Sequence, residues 1–309
     1  ILHFKMMKKF IVQIIVYSLF LVFFILIGAK LISSHVKKRN FKNYETESNL
    51  LVLKENKKYD FLFMGISHAR NFSRHKNHLR LDTILNMSFI NIAQGGGRCG
   101  VNEQYFYLKY FYQNKNKTNQ VIYILSPPML FHAGLPLASK TFDFEPFEFD
   151  FFSNYLFFNT LNKTQRIYSY VNSKYTLEWK NHQPKSYTKK QNYLTKLDSA
   201  KVTSGLNFTY KKGLAHWQFD RNAKVIEQTI QLIQKNNSSC VFVIPPALFG
   251  KWNGHNETMT FAKKMHQKYD VKVYDYSESV LEPKYYYDHH HLNSDGVVFF
   301  VQNYLKPIL

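Results

Sequence analysis

The chain has 309 residues, and 41 lysines and arginines against 21 aspartates and glutamates give it a formal net charge of +20. This length is enough for one large domain and an anchor. Such a basic charge first suggests nucleic acid as a partner. However, the basic residues are scattered and no nucleic-acid-binding motif occurs, so we expect no nucleic-acid partner. An anionic surface, either lipid headgroups or an acidic glycan, fits the charge better; a biased genome composition would explain it equally.

The first element in chain order is an uncharged run from Phe10 to Ala29. About 20 helical residues at ~1.5 Å each span a bilayer core of ~30 Å. A cleaved signal peptide is the competing interpretation, but its apolar region is usually only about 7–15 residues long and ends at a cleavage site. We therefore predict an uncleaved transmembrane anchor at residues 1–31, a stalk at 32–58 and one folded domain at 59–309.

The basic residues that flank the anchor bear on which side of the membrane the domain lies. More of them follow the run than precede it, which by the positive-inside rule favours a cytoplasmic domain. A lysine-rich composition inflates this count, and a large domain can cross the membrane despite its charge. The flanking residues are Lys5, Lys8 and Lys9 before the run, and Lys30, Lys37, Lys38, Arg39 and Lys42 after it.

Beyond the stalk, apolar runs of strand length alternate with stretches of helical periodicity. This alternation predicts an α/β domain with a parallel sheet and helices on both faces. A further segment, 131–217, interrupts the alternation, and we expect it to be a partly helical insertion over the C-terminal edge of the sheet. Ser294-Asp295-Gly296 predicts the N-cap of a last helix at 297–305. The predicted strands are Phe61–Met64, Phe89–Ala93, Val121–Leu125, Val241–Ile244 and Val271–Tyr274, and the clearest helices are Asn102–Tyr112 and Asn222–Lys235.

Two motifs at opposite ends of the domain indicate a serine nucleophile. Gly65-Ile66-Ser67 ends the first predicted strand, where a turn can lift a hydroxyl out of the sheet. Serine needs an imidazole as base and a carboxylate to orient that imidazole. Asp288 and His291 are three positions apart and supply both groups from one turn. We therefore predict Ser67, Asp288 and His291 as catalytic residues.

A glycine-rich block, Asn91 to Gly97, follows the second predicted strand. Glycines allow the backbone to approach a ligand closely and to point N–H groups at it. Near the nucleophile, such donors would hold an oxyanion, and each is typically worth about 3–4 kcal/mol. A plain glycine turn remains the alternative. A phosphate-binding loop does not fit, because no Gly-Lys-Ser/Thr follows.

These three blocks together resemble the SGNH (GDSL-type) hydrolase family. The resemblance covers about 59–130 and 220–309, and it implies a flavodoxin-like three-layer α/β/α sandwich that acts as an esterase, lipase, deacetylase or acyltransferase. It implies Ser67 as nucleophile and oxyanion donor, Gly96 with its neighbour Gly95 as further oxyanion donors, and His291 with Asp288 as base and orienting acid.

One block departs from the family pattern. The family's third block usually supplies an asparagine as an oxyanion donor, whereas this chain has Leu125-Ser126-Pro127-Pro128. In this the chain resembles divergent membrane-anchored members that modify envelope polymers beside a membrane-bound O-acyltransferase. That likeness implies a single-pass protein of the cell membrane with an extracytoplasmic domain, an envelope glycan or glycolipid as substrate, and such an acyltransferase as a partner.

The remaining candidate residues have weaker signals. His289, His290 and His291 diverge too much for one metal to bind more than two of them, so we predict no metal and no cofactor. Arg70 and Arg98 are candidates for binding an anionic substrate. Two cysteines, Cys99 and Cys240, leave a single disulfide open. We predict a membrane-anchored serine esterase or O-acyltransferase for acyl esters, mainly O-acetyl; a catalytically silent scaffold for an acyltransferase is the alternative.

Overall fold

The computed structural model describes residues 2–41, 55–95, 99–131, 140–157, 162–183, 193–210 and 213–309. The chain forms two compact units. One contains residues 1–44 and 142–183, and the other contains residues 45–141 and 184–309.

The larger unit is built on a five-stranded sheet in which every neighbouring pair is parallel. The strand order is β2-β1-β3-β4-β5, which is the flavodoxin-like order. This confirms the predicted α/β class, and all five predicted strands are present. They are β1 (Lys58–Gly65), β2 (Phe89–Asn91), β3 (Lys117–Ile124), β4 (Ser239–Ile244) and β5 (Lys272–Asp275).

Both faces of the sheet are buried, because alternate residues of each strand point to opposite layers of helices. On one face, Phe61 and Phe63 of β1 pack in a cluster with side chains of α3 (Asn77–Leu85) and α12 (Ser294–Phe300). On the other face, Phe242 of β4 contacts Phe261 of α11 (His255–Tyr269), with ring centroids 6.4 Å apart. The helices of this unit are α2 (Ser67–Arg70), α3 (Asn77–Leu85), α4 (Val101–Gln113), α5 (Pro127–Phe131), α9 (Ser199–Thr209), α10 (His216–Lys235), α11 (His255–Tyr269) and α12 (Ser294–Phe300).

The strand order also determines where a ligand can bind. The chain leaves β1 towards β2 on one side and returns to β3 on the other, so the connections diverge between β1 and β3. In open α/β sheets this divergence opens a crevice at the carboxyl ends of the strands. Ser67 lies two residues beyond the end of β1, at this point.

The last helix begins earlier than predicted. Its N-cap is Asn293 rather than Ser294, because the Asn293 side chain accepts a hydrogen bond from the Gly296 N–H at 2.9 Å. The helix starts at Ser294 and continues beyond Phe300 as a π-helical turn, Val301–Leu305.

The smaller unit is organised around α1 (Leu2–Asn40), a single continuous helix. By length and composition alone, Met6–Asn40 is able to cross a membrane. The helix does not stop at Ala29, and it includes the first part of the segment that we expected to be a stalk. Shorter helices from the predicted insertion complete the unit: α6 (Phe149–Phe157), α7 (Lys163–Ser173) and α8 (Leu177–Lys180).

The C-terminal half of α1 packs against residues 142–183. The Ser33 hydroxyl accepts a hydrogen bond from the Phe147 N–H at 2.8 Å, and Lys30 and Lys37 both pair with Glu148. The predicted insertion at 131–217 is therefore divided between the two units, with residues 193–210 in the larger one.

Candidate active site

Ser67 is held by a turn that only glycine fits. Gly65 ends β1 with φ +143°, a conformation that other residues rarely adopt. A Cβ at this position would lie 2.8 Å from the carbonyl oxygen of Ile124 and 2.9 Å from the Cβ of Ala69. The backbone therefore turns sharply out of the sheet and places Ser67 at the first residue of the short helix α2.

The structure brings Ser67, His291 and Asp288 into one chain of hydrogen bonds. The Ser67 Oγ lies 2.7 Å from the His291 Nε2, and the His291 Nδ1 lies 2.8 Å from the Asp288 Oδ2. These distances fit a neutral imidazole that donates from Nδ1 and accepts the serine proton at Nε2. A serine oriented in this way can act as a nucleophile.

Asp288 is kept ionised by the donors around it. Its second oxygen, Oδ1, accepts hydrogen bonds from the backbone N–H groups of His290 at 2.9 Å and His291 at 2.8 Å. Burial by itself would raise the pKa of Asp288, but the hydrogen bond from His291 and the charge interactions with His291 and His290 outweigh it. The pKa therefore lies well below its usual value, and the carboxylate can stabilise a protonated His291.

The loop that carries Asp288 and His291 is closed at its base. Tyr286 and Leu292 form an antiparallel bridge, and the Tyr287 N–H donates to the His291 carbonyl at 3.2 Å. The Tyr287 ring also stacks on the His291 ring with an interplanar angle of 2°. The Asn71 side chain donates to the Leu292 carbonyl at 3.2 Å and so ties this loop to the segment after Ser67.

Gly95, the last described residue of the glycine block, lies beside the nucleophile. A Cβ at Gly95 would lie 3.0 Å from both Cα and Cβ of Ser67, so the two backbones are in close contact. Asn91 joins the same elements: its side chain donates to the Ala69 carbonyl at 2.8 Å and accepts from the Ala93 N–H at 2.9 Å. This role of Asn91 was not predicted from the sequence, although the residue is the last one of the buried strand β2.

Two predicted site residues, Gly96 and Arg98, lie outside the described residues. Arg70, the other predicted substrate-binding residue, is half-buried at the end of α2. Burial and Asp288 raise the pKa of Tyr287 to about 12, while the charges of Arg74 and Arg70 oppose that rise. Arg70 is therefore close enough to the Asp288 loop to affect it electrostatically, and its contact with a substrate stays a prediction.

Two further histidines, His68 and His290, lie next to His291. The ring centroid of His68 lies 5.0 Å from that of His291, and the centroid of His290 lies 3.9 Å from it. Burial, followed by repulsion from His291, lowers the pKa of His68 to about 3. The same two causes hold the pKa of His290 well below its usual value. Both rings are therefore neutral near pH 7.

The histidine cluster also has the composition of a metal site. One nitrogen from each of His68, His290 and His291 lies within 4.8 Å of the others, and Asp288, His289 and His290 form a second such group. Each group contains two of the three consecutive histidines, and His68, whose place beside them was not predicted from the sequence, is the third member of the first group. Both nitrogens of His291 are already engaged by Ser67 and Asp288, so binding a metal through His291 would break the serine–histidine–aspartate chain.

Part of the predicted insertion lies against this edge of the sheet. Gly205 of α9 faces the His289 ring so closely that a Cβ would overlap its Nε2. The Leu194 N–H donates to the Tyr286 carbonyl at 2.9 Å, and the Tyr210 hydroxyl donates to the Asn253 carbonyl at 2.8 Å.

The two cysteines, Cys99 and Cys240, are free and buried.

Comparisons with known proteins add little to this geometry. No family model matches the chain, and no curated protein matches it. A solved structure described as a "putative acylhydrolase" from Bacteroides fragilis NCTC 9343 is 13% identical, with a TM-score of 0.40. The match covers 82% of this chain and 86% of that one. A likeness at that TM-score supports neither fold nor activity, so both depend on the chain's own topology and site.

We predict that Gly95→Ala slows reaction of Ser67 with a fluorophosphonate probe by about tenfold or more. The added methyl group would push the nucleophile turn by a few tenths of an ångström, and small misplacements of reacting groups are costly. Overpacking should also lower the unfolding free energy by about 1–3 kcal/mol. A variant that melts lower yet reacts at the wild-type rate would show that the Gly95 contact does not position Ser67.

We predict that His68 makes stability depend on pH. Between pH 6.5 and about 3 the unfolded chain binds a proton at this residue and the folded chain does not, so the unfolding free energy falls as pH decreases. His68→Phe keeps an aromatic ring and removes this titration. The unfolding free energy, measured with denaturant from pH 8 to 4, should depend less steeply on pH in the variant than in the wild type. The difference in unfolding free energy at pH 8 reports the change in packing alone. Equal slopes of unfolding free energy against pH in the two proteins would contradict the buried neutral state of His68.

Proposed function

We propose that this chain is a divergent SGNH-type serine hydrolase that forms an acyl-enzyme, and that it acts as a membrane-anchored esterase or O-acyltransferase. The observation that carries the proposal is the continuous hydrogen-bond chain from the Ser67 hydroxyl through His291 to an ionised Asp288. The flavodoxin-like strand order and the position of Ser67 after β1 support the family assignment.

In the first half of the reaction, the Ser67 Oγ attacks the carbonyl carbon of an acyl ester while its proton passes to the His291 Nε2. The backbone N–H of Ser67 and those of the glycine block, at Gly95 and Gly96, are the proposed donors to the oxyanion. The bond between the carbonyl carbon and the leaving oxygen then breaks. His291 returns the proton to that oxygen, and the acyl group remains on Ser67.

In the second half, water or a sugar hydroxyl attacks the acyl-enzyme and gives its proton to His291. The bond to the Ser67 Oγ breaks, and His291 protonates the serine oxygen again. With water the reaction is ester hydrolysis, and with a sugar hydroxyl it is acyl transfer. Both outcomes use the same residues, so the choice depends on which acceptor reaches the acyl carbon.

The neutral state of His68 and His290 helps this cycle. A positive charge beside His291 would oppose its protonation, because like charges raise the energy of the charged form. Burial keeps both neighbouring rings uncharged near pH 7, so His291 meets no such charge from them. Asp288 then provides the opposite charge that favours the imidazolium.

An acyl ester, mainly O-acetyl, on an envelope glycan or glycolipid is the substrate that we propose. The apolar helix α1 supports attachment to a membrane, and the net charge of +20 suits an anionic polymer. The resemblance of the sequence to envelope-acylating proteins supports an extracytoplasmic domain and a membrane-bound O-acyltransferase as partner.

A catalytically silent scaffold for such an acyltransferase is the second candidate. It is favoured by the end of β3, where Ser126 occupies the region in which the family has an asparagine, and the Ser126 hydroxyl is fully buried. A chain that had lost catalysis would not be expected to keep a serine, imidazole and carboxylate at hydrogen-bond distances. The triad geometry therefore favours the enzyme.

We predict that His291→Ala lowers hydrolysis of p-nitrophenyl acetate by at least about a thousandfold, whereas His289→Ala and His290→Ala stay within about tenfold. The reason is that, of these three histidines, it is His291 whose ring has a hydrogen bond with Ser67, and the backbone N–H of His290 that supports Asp288 remains in the alanine variant. The Ser67→Ala variant gives the background rate of ester hydrolysis in the absence of the nucleophile. Equal losses at all three histidines, or a loss in wild type on chelation that added metal reverses, would favour metal chemistry instead.

We predict that the C-terminal domain lies outside the cytoplasmic membrane. A reporter that is active only after export, fused after Leu309, should be active, and a matched cytoplasmic reporter at the same position should be inactive. The opposite pattern would overturn the proposed orientation without affecting the proposed chemistry, since purified protein can be assayed on soluble esters.

A further inference from the structure

Only part of α1 is available to lipid. Large apolar side chains are exposed from Met6 to Ile25, and this stretch is not covered by the described chain. Within it, the 16 uncharged residues from Phe10 to Ile25 span about 24 Å at ~1.5 Å per residue, which is most of the ~30 Å hydrocarbon core of a bilayer. Further along the helix, Ala29, Ser33 and Val36 are buried. The covered surface of α1 therefore begins in the last part of the uncharged run, near the end of a bilayer core.

Tyr175 marks this boundary. Its hydroxyl donates a hydrogen bond to the carbonyl of Ile25, and its ring lies against Gly28, where a Cβ would overlap the hydroxyl. Both helix residues belong to the uncharged run from Phe10 to Ala29. A folded segment that contacts α1 at this level lies next to the membrane surface once the helix spans the bilayer.

From Tyr175 the chain follows α1 away from this boundary. Arg39 donates to the carbonyl of Lys180, and the Asn40 side chain donates to the carbonyl of His182 at 2.6 Å. The direction of the segment 175–182 along α1 is therefore fixed at both ends. Ile25 and Arg39 are about 21 Å apart along the helix axis.

The turn before α8 is held in place by several specific contacts. The Lys174 Nζ donates to the carbonyls of Asp143 at 2.7 Å and Phe142 at 3.2 Å, and it lies 4.7 Å from the ring centroids of both Tyr170 and Trp179. Thr176 caps α8 by accepting a hydrogen bond from the backbone N–H of Trp179 at 3.2 Å. Leu177, the first residue of α8, is nevertheless 74% exposed. An ordered turn thus presents a large apolar side chain to its surroundings.

We propose that the turn from Ser173 to Leu177 docks on the bilayer surface, with Tyr175 and Leu177 both at the headgroup–acyl boundary. Tyrosine is enriched at this depth because its ring is apolar and its hydroxyl is polar. The occupant is phospholipid, because Tyr175 meets α1 at the level where the lipid-exposed part of the helix ends. Residues 142–183 would then fix how far α1 enters the membrane, whatever reaction the larger unit performs.

The test uses the full chain in vesicles of phosphatidylcholine with a minority of phosphatidylglycerol. Leu177→Cys is labelled with an environment-sensitive fluorophore, and the vesicles contain lipid with a spin-label quencher near the headgroup end of the acyl chain. Asn181→Cys is the matched control, because it is an exposed residue of the same segment that lies near the Arg39 end of α1. The native cysteines are buried, and the labelled parent chain gives the background.

If the turn is docked on the bilayer, the Leu177 probe should lose about half of its fluorescence or more in vesicles that contain the quencher. Its emission maximum should also shift to shorter wavelength. The Asn181 probe should change by less than about a tenth. Phe20→Cys, within the exposed part of α1, verifies insertion by its own quenching. With insertion verified, equal quenching at Leu177 and Asn181, or quenching at neither, would overturn the proposal. An unquenched Leu177 probe in pure lipid would also be the result if this surface were instead bound by a partner protein.

Discussion

The carboxylate of Asp288 accepts three hydrogen bonds, from the backbone N–H groups of His290 and His291 and from the His291 ring. These bonds do two things together: they fold the loop tightly on itself, and they set the tautomer and direction of the imidazole. Because the loop is also bridged at its base and tied to the segment after Ser67, the orientation of His291 is transmitted directly to the nucleophile. The site therefore depends on one half-buried, ionised carboxylate.

Next to this anion the chain places two neutral histidines. His68 is buried and His290 is half-buried, both are neutral near pH 7, and the Tyr287 ring stacks on His291. Weakly polar surroundings strengthen the attraction between Asp288 and a protonated His291, because charges interact more strongly where water is excluded. The same surroundings carry a cost in acid, where burying neutral histidines opposes folding.

The sequence was informative where periodicity and local motifs decide the structure. Apolar runs predicted all five strands, and Gly65-x-Ser67 and Asp288-x-x-His291 predicted residues that the fold brings together over 224 positions. It was uninformative where no motif marks a partner that lies far along the chain. Nothing local in Asn91 or Asn71 indicates which carbonyl each side chain will meet. The pairing of α1 with residues 142–183 includes the hydrogen bond from Phe147 to Ser33 and the ion pairs with Glu148, and no periodic pattern in the sequence marks these partners. The cap of α12 moved by one residue because Asn293 reaches Gly296.

The most direct test of the account is to look for the acyl group on Ser67. Intact-mass analysis of the purified chain, quenched in acid early in its reaction with p-nitrophenyl acetate, should show one added acetyl group, and peptide mapping should locate it at Ser67. The His291→Ala variant should show no such early adduct. An unmodified wild-type chain that nevertheless hydrolyses the ester, or an acetyl group at a residue other than Ser67, would contradict the proposed acyl-enzyme.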